Sequence, residues 1–271
     1  MDVLVVGGSG LLGREVVRQA RSAGRRVAAT FHRRPAAIED VEWLPLDIRG
    51  RDDVAALVAR VRPATVVNAA YRQSDWATTA DGGMHVAAAA AATGARLVHV
   101  SSDAVFSGGA ARYDESCPPD PITPYGAAKA AAETAARGLD PSAVIARTSL
   151  IIGGGESLHE QRAHALAAHF TDDVRCPVHV TDLAAALLEL AASDHRGVHH
   201  VAGPDAVSRH ELATLIARRD GLDETRLPRA LRAETDLPGP LDVRLDCTLT
   251  QSRLTTRLRG AREFLARPAT R

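Results

Sequence analysis

A tyrosine and a lysine four residues apart are the most informative chemical feature of this sequence. Tyr125 and Lys129 fall in an alanine-rich stretch that predicts a helix, so both side chains project from one face. Ser102 follows a buried apolar run, where a parallel sheet presents polar groups to a ligand. A tyrosine hydroxyl can protonate the oxygen of a carbonyl under reduction, and a nearby ammonium would lower its pKa from about 10. A serine hydroxyl can hydrogen-bond the developing oxyanion, so we predict these three residues to be catalytic.

The composition draws further attention to Lys129. The chain has 33 basic residues of the Lys and Arg types, and Lys129 is the only lysine among them. A codon bias toward arginine explains most of this skew. Since an ammonium and a guanidinium are not interchangeable, the one lysine that remains favours a specific role.

A glycine-rich turn follows the first apolar run. Gly7, Gly10 and Gly13 are spaced by three, directly after a predicted strand and directly before a predicted helix. Such glycines allow a tight turn and close approach of a pyrophosphate, and the helix N-terminus supplies free N–H groups. We predict dinucleotide binding here, by the following residues of the turn: Gly7, Ser9, Gly10, Leu11, Leu12 and Gly13.

The end of the second predicted strand bears on the choice of nicotinamide cofactor. An NAD-selective protein usually ends this strand with an acidic residue that holds the ribose hydroxyls. Here the strand is followed by His32, Arg33 and Arg34. Arginine can bind a 2′-phosphate through charge-assisted hydrogen bonds, so NADP(H) is favoured over NAD(H). The alternative is a solvated basic turn.

Short apolar strands alternate with helices over the first 150 residues, which predicts an α/β fold with a doubly wound parallel sheet of the Rossmann type. We assign residues 1–150 to an NAD(P)-binding domain. Residues 151–271 are assigned mainly to a small C-terminal substrate lobe, with a segment at about 175–202 returning to the sheet. Within the lobe we predict helices at Glu156–Phe170 and Ser208–Arg219, the second with Ser208 and Glu211 at capping-box spacing. The Pro-rich stretch Leu227–Leu241 predicts irregular structure.

The motifs together resemble an extended short-chain dehydrogenase/reductase of the dTDP-4-dehydrorhamnose reductase type, over nearly the whole chain. Besides the glycine turn, the matching stretches are Val66–Ala70, His99–Phe106, Tyr113–Glu115, Pro124–Lys129, Val144–Thr148, Pro177–Ala184 and His200–Gly203.

The resemblance implies roles for individual residues. Tyr125 would be the catalytic acid and Ser102 the substrate-polarising hydroxyl, while Lys129 would acidify Tyr125 and hold the nicotinamide ribose. Asn68, Ala69 and Ala70 would pass beneath the cofactor, and Asp47 and Ile48 would lie beside the adenine. The residues expected to contact the substrate are Tyr71, Ser102, Asp103, Val105 and Phe106.

The implied activity is reduction of a ketone, with a nucleotide sugar such as a dNDP-4-keto-6-deoxysugar as substrate. The loop Tyr71–Trp76, which would border that substrate, differs from the usual sequence of the family, so the sugar itself stays open. Two other functions also stay open. One is a non-catalytic NADP(H)-binding regulatory subunit of the same fold, and the other is a sugar-nucleotide epimerase.

Composition excludes several classes of partner. The formal net charge is zero and no apolar run is long enough to span a bilayer, so neither nucleic acid nor a membrane is expected. Three widely spaced cysteines and the absence of a signal-peptide pattern favour a reduced, cytoplasmic protein. A homodimer is the assembly we consider for it. No metal is predicted: His159 and His164 are five apart, which separates them around a helix, and Asp172–Asp173 is expected to be a solvent-exposed pair.

Overall fold

The computed structural model describes residues 1–236 and 238–266. Leu237, which belongs to the predicted irregular stretch, and residues 267–271 of the predicted substrate lobe lie outside the described residues.

Short strands run through the whole described chain, and seven of them form one sheet. The bounds are β1 (Val3–Val6), β2 (Val27–Phe31), β3 (Glu42–Pro45), β4 (Thr65–Asn68), β5 (Arg96–Ser102), β6 (Val144–Thr148), β7 (Ile151–Ile152), β8 (His169–Phe170), β9 (Val174–Arg175), β10 (Val178–His179), β11 (Gly197–His200), β12 (Val207–Ser208) and β13 (Arg229–Ala230). The order in the large sheet is β11-β6-β5-β4-β1-β2-β3, and all neighbours are parallel. The predicted doubly wound α/β fold is confirmed.

Helices cover both faces of this sheet. Their bounds are α1 (Leu11–Ser22), α2 (Arg51–Val61), α3 (Gly82–Thr93), α4 (Pro124–Leu139), α5 (Leu158–His164), α6 (Val180–Ala192), α7 (Arg209–Arg219), α8 (Thr248–Arg253) and α9 (Ala261–Phe264). Helices α1 and α6 enclose one apolar core against the sheet. Helices α2, α3 and α4 supply residues to a second core on the opposite face. Apolar strands buried on both faces leave their carboxyl ends as the edge at which a ligand can bind.

Two elements differ from the sequence expectation. The helix predicted at Glu156–Phe170 is wrong in its second half: α5 ends at His164, Leu166 takes a positive φ of 49°, and β8 pairs with β13. Strand β3 was not predicted, because it is a four-residue edge strand in which only Leu44 is fully buried. The end of α5 is set by a pairing partner distant in sequence, whereas β3 pairs with β2, the strand just before it in the chain.

The chain after residue 150 forms a smaller core over one end of the sheet. Its buried members include Ile152 of β7, Leu212 and Ile216 of α7, and Leu265. The predicted cap of α7 is confirmed, since the Ser208 side chain accepts a hydrogen bond from the Glu211 N–H at 3.0 Å. Strand β11 lies in the large sheet beside β6. A domain boundary at residue 150 stays a prediction. Among the described residues, no helix is both long and apolar enough to cross a membrane.

Candidate active site

A cavity of about 910 Å³ lies at the carboxyl ends of the central strands. Its wall brings together the glycine turn before α1 and the three predicted catalytic residues, Ser102, Tyr125 and Lys129. Ala69 follows β4 and Thr148 ends β6, so the cavity extends across the middle of the sheet. Residues from these five separate stretches of sequence therefore line one cavity. The predicted residues on its wall are Gly10, Leu11, Leu12, Gly13, Ala69, Tyr71, Ser102, Asp103, Tyr125 and Lys129.

The start of α4 positions Tyr125. Thr123 caps the helix by accepting a hydrogen bond from the Gly126 N–H at 3.0 Å, and Pro124 occupies the first turn, where its missing N–H costs nothing. A Cβ added at Gly126 would lie 2.0 Å from the carbonyl oxygen of Ala104. Only glycine lets the helix approach the turn after Ser102 this closely, and the approach sets Tyr125 beside Ser102.

We expect Gly126→Ala to lower both stability and turnover. The added methyl collides with backbone, so α4 must shift, at a cost of about 1–3 kcal/mol. For the ketone reduction that the sequence predicts, a shift of about 1 Å at Tyr125 is expected to lower kcat about 100-fold. Gly138→Ala on the same helix is the matched control, because nothing lies within 4 Å of the added Cβ there. Equal effects of the two substitutions on kcat would contradict this account.

Lys129 is buried, with 3% of its surface exposed. Its ammonium donates a hydrogen bond to the Val100 carbonyl oxygen at 2.9 Å, and it lies over the Tyr71 ring, 4.9 Å from the centroid. Burial lowers the pKa of Lys129 from 10.5 to about 8, while the Glu133 carboxylate acts to raise it. The side chain is therefore cationic at neutral pH but close to titrating.

Tyr125 differs from expectation in its acidity. Burial raises the pKa of its hydroxyl, and the neighbouring Tyr71 and Asp103 raise it further. The group that lowers this pKa is Ser102, through a hydrogen bond, rather than Lys129. The expected acidification by Lys129 is thus wrong for this structure, because the ammonium is engaged with Val100 and the Tyr71 ring. A hydroxyl that stays protonated at neutral pH suits a proton donor.

Asp103 is a buried carboxylate in the cavity wall. It accepts hydrogen bonds from the hydroxyls of Ser102 at 3.2 Å and Ser149 at 2.6 Å. The Arg175 guanidinium lies 3.7 Å away. The carboxylate thereby links the carboxyl ends of β5 and β6 and orients the Ser102 hydroxyl.

The glycine turn is shaped by close backbone contacts. A Cβ at Gly13 would lie 2.1 Å from the Gly7 carbonyl oxygen, and one at Gly7 would lie 2.8 Å from Ala70, with φ at +81°. Asn68 is buried, and its side-chain oxygen accepts a hydrogen bond from the Ala70 N–H at 3.2 Å. Asn68 and Ala70 therefore shape the wall of the turn, while Ala69 is the one of the three that lines the cavity.

The residues predicted for the adenosine end lie apart from this cavity. His32 and Asp47 line a second cavity, of about 600 Å³, and Arg33 and Arg34 are exposed just after β2. Asp47 is held by Arg49, whose hydrogen bonds lower its pKa to about 2. Ile48 is 5% exposed and packs against Gly82, so it lines neither cavity.

Two predicted substrate contacts need correction. Val105 and Phe106 are fully buried, and they belong to a core shared with Tyr113 and Val243. Phe106 stacks on Tyr113 with ring centroids 4.1 Å apart. The turn after Asp103 directs these apolar side chains inward, away from the cavity.

Sequence reasoning missed a cluster of arginines in the cavity wall. Asp173, at 1% exposure, pairs with Arg175 at 2.9 Å, Arg209 at 3.1 Å and Arg232 at 3.0 Å. The expectation that Asp172–Asp173 is a solvent-exposed pair is therefore wrong for Asp173. No local sequence pattern predicts this cluster, because its arginines come from three separate segments of a chain that is rich in arginine.

His159 and His164 have different surroundings. His159 lines the main cavity, and burial beside Arg209 lowers its pKa to about 3. His164 pairs with Asp220 at 2.6 Å. Across the described residues, no group of three potential metal ligands comes together.

Comparison with known proteins identifies the family. The family model described as the RmlD substrate binding domain matches residues 1–270, and the chain belongs to this family. The chain is 32% identical over 262 residues to a dTDP-4-dehydrorhamnose reductase of Mycobacterium tuberculosis, covering 88% of this chain and 82% of the relative. It is also 29% identical over 278 residues to methionine adenosyltransferase 2 subunit beta of Rattus norvegicus, covering 91% and 80%.

Solved structures agree with this assignment. A hypothetical dTDP-4-dehydrorhamnose reductase from Sulfolobus tokodaii superposes with a TM-score of 0.84 at 26% identity, covering 96% of this chain and 97% of that one. A dTDP-4-dehydrorhamnose reductase from Bacillus anthracis in complex with NADP gives a TM-score of 0.84 at 22% identity, covering 98% of each, and so shows the shared fold. The resemblance inferred from the motifs is confirmed at the level of the family.

Proposed function

We propose that this protein is an NADPH-dependent reductase that converts a ketone on a nucleotide sugar to an alcohol. The observation that carries the proposal is the single cavity that joins the glycine turn to Ser102, Tyr125 and Lys129. The family and its named reductase members support it.

The glycine turn fits a dinucleotide. Gly10 caps α1 without a side chain, and the first turn of the helix carries no acidic residue, so its N–H groups are open to a phosphate. Gly7 and Gly13 lack the space for a Cβ because backbone packs directly against them, which holds the turn close to the start of α1. Arg33 and Arg34 after β2 are the candidates for a 2′-phosphate, and they favour NADPH.

Three side chains of this protein would serve the reaction. The reduced nicotinamide, when bound, would supply the hydride that adds to the ketone carbon. Tyr125, kept neutral by burial, would donate its proton to the ketone oxygen, and Ser102 would hydrogen-bond that oxygen. Lys129 would hold the nicotinamide ribose.

The arginine cluster supports a substrate with an anionic part. Arg175, Arg209 and Arg232 surround the buried carboxylate of Asp173, and Arg175 also faces that of Asp103. Three guanidinium groups thus face two carboxylates, which leaves excess positive charge on the wall of the cavity. Guanidinium groups bind phosphate oxygens through paired hydrogen bonds. A diphosphate held there would place an attached sugar toward Tyr125, within the same cavity.

A regulatory subunit is the second candidate function. The similarity to methionine adenosyltransferase 2 subunit beta is nearly as extensive as the similarity to the reductase. The presence of Ser102, Tyr125 and Lys129 on one cavity favours the enzyme. The other function left open by the sequence, a sugar-nucleotide epimerase, would consume no external reductant.

A combined binding and turnover experiment separates these functions. We expect calorimetry to give a Kd for NADPH about 10- to 100-fold below that for NADH, as one charge-assisted contact would produce. We expect NADPH oxidation with at least one dTDP- or UDP-4-keto sugar, followed by absorbance at the nicotinamide band. Tight NADPH binding without oxidation across the panel would support the regulatory subunit. Product formation without consumption of NADPH would support the epimerase.

A further inference from the structure

Helix α4 carries a third functional candidate, one turn beyond Lys129. Tyr125, Lys129 and Glu133 are spaced by four residues and therefore share a face of the helix. Glu133 is 2% exposed, and a carboxylate is almost never buried this deeply unless it is paired. Packing alone does not account for a charged side chain at this position.

The Glu133 carboxylate connects three elements behind the cavity. It accepts a hydrogen bond from the Ser101 hydroxyl at 2.5 Å and pairs with Arg147 of β6 at 2.8 Å. Arg147 is itself 1% exposed. Together with the hydrogen bond from Lys129 to Val100, these contacts attach α4 to the strand that ends in Ser102.

Stability alone is a weak reason for such a pair. Desolvation of two buried charges roughly cancels their attraction, and apolar residues of similar size would often serve as well. The charge has a further consequence here, because Glu133 opposes the effect of burial on the ammonium of Lys129.

The surrounding titratable groups leave Glu133 as the anion that acts on Lys129. His99, whose pKa burial lowers to about 3, and the hydroxyls of Tyr71 and Tyr125 are neutral near pH 7. Asp103 lies on the far side, beside Tyr125, where it interacts with Ser102, Ser149 and Arg175. Around Glu133 and Arg147 lie His200, whose pKa is lowered by burial, and Glu115.

We propose that Glu133 is a positioning residue: through Ser101 and Arg147 it fixes α4 against β5 and keeps Lys129 in its ammonium form. The kinetic meaning of this inference rests on the proposed reductase function. The state of Lys129 can be measured without any activity, so the two proposals can fail separately.

The sequence offers an unusually direct probe. Lys129 is the only lysine, so protein labelled with 13Cε-lysine has one lysine resonance, whose chemical shift follows protonation of the side chain. We expect a midpoint near pH 8 for the unchanged protein. In Glu133→Gln, which keeps the shape and removes the charge, we expect the midpoint to fall by about one pH unit or more.

Two controls isolate the charge. Glu189→Gln on α6, where the carboxylate binds the backbone of Thr255 and Thr256, is expected to leave the midpoint unchanged. Glu133→Gln combined with Arg147→Met removes both buried charges and restores a foldable interior, as circular dichroism and thermal unfolding would verify. The lowered midpoint is expected to persist in this double variant.

The outcomes decide the proposal. A midpoint that stays near 8 in both folded variants overturns it, and so does an unchanged-protein midpoint near the ordinary value of 10.5. If the reductase activity is found, loss of the ammonium as pH rises predicts an alkaline fall of kcat, displaced toward neutral pH in Glu133→Gln. A lower kcat with an unshifted pH profile would mark Glu133 as merely structural.

Discussion

Tyr125→Phe is expected to lower kcat for NADPH-dependent ketone reduction by about 10²- to 10⁴-fold while leaving the Kd for NADPH nearly unchanged. The substitution removes only the hydroxyl that would give its proton to the ketone oxygen, and the ring remains between Ser102 and Tyr71. Steady-state kinetics with the substrate found in the panel, together with calorimetric titration of NADPH, measure the two quantities.

Tyr71→Phe is the matched control. The Tyr71 ring lies 5.8 Å from that of Tyr125 and carries the ammonium of Lys129 on its face, both of which phenylalanine retains. We expect this variant to keep most of the activity. Full turnover in Tyr125→Phe would refute the assignment of the proton donor, and equal losses in both variants would show that the effect is not specific to the Tyr125 hydroxyl.

Asp173→Asn is expected to lower the free energy of unfolding by about 3 kcal/mol or more. Asparagine has nearly the same shape, but three arginines then lose their shared counter-ion, and removal of one partner from a buried ion pair typically costs about 3–5 kcal/mol. Denaturant unfolding followed by circular dichroism measures the change.

The adjacent carboxylate provides the control for this prediction. Asp172 accepts hydrogen bonds from the N–H groups of Arg232 and Ala233 on its two different oxygens, so an asparagine oxygen can still accept one of them. Asp172→Asn should therefore lower stability by about 1 kcal/mol, well below the effect of Asp173→Asn. Similar destabilisation by both substitutions would show that Asp173 is not the centre of the arginine cluster.

Most of the site prediction was based on short sequence motifs. Two motifs, each within a few residues, placed the glycine turn and the Tyr125–Lys129 pair, and helix periodicity fixed that both side chains face the same way. Val105 and Phe106 were misplaced because a motif names neighbours in sequence, while the turn after Ser102 directs both of these side chains into the core and leaves Asp103 on the cavity wall. Strand β3 is a short edge strand that pairs with β2, and the end of α5 depends on the pairing of β8 with the distant β13, which local propensity does not encode.

The sequence by itself determined the alternation of strands and helices, the glycine turn and the spacing of Tyr125 and Lys129, because each of these is carried by contiguous residues. Only the tertiary structure decided that one buried carboxylate, Asp173, gathers three arginines onto the cavity wall. It also decided that burial keeps the Tyr125 hydroxyl protonated and that Glu133 lies behind Lys129 with Arg147. Charge and desolvation act through space, so their balance is set by which distant segments the fold brings together.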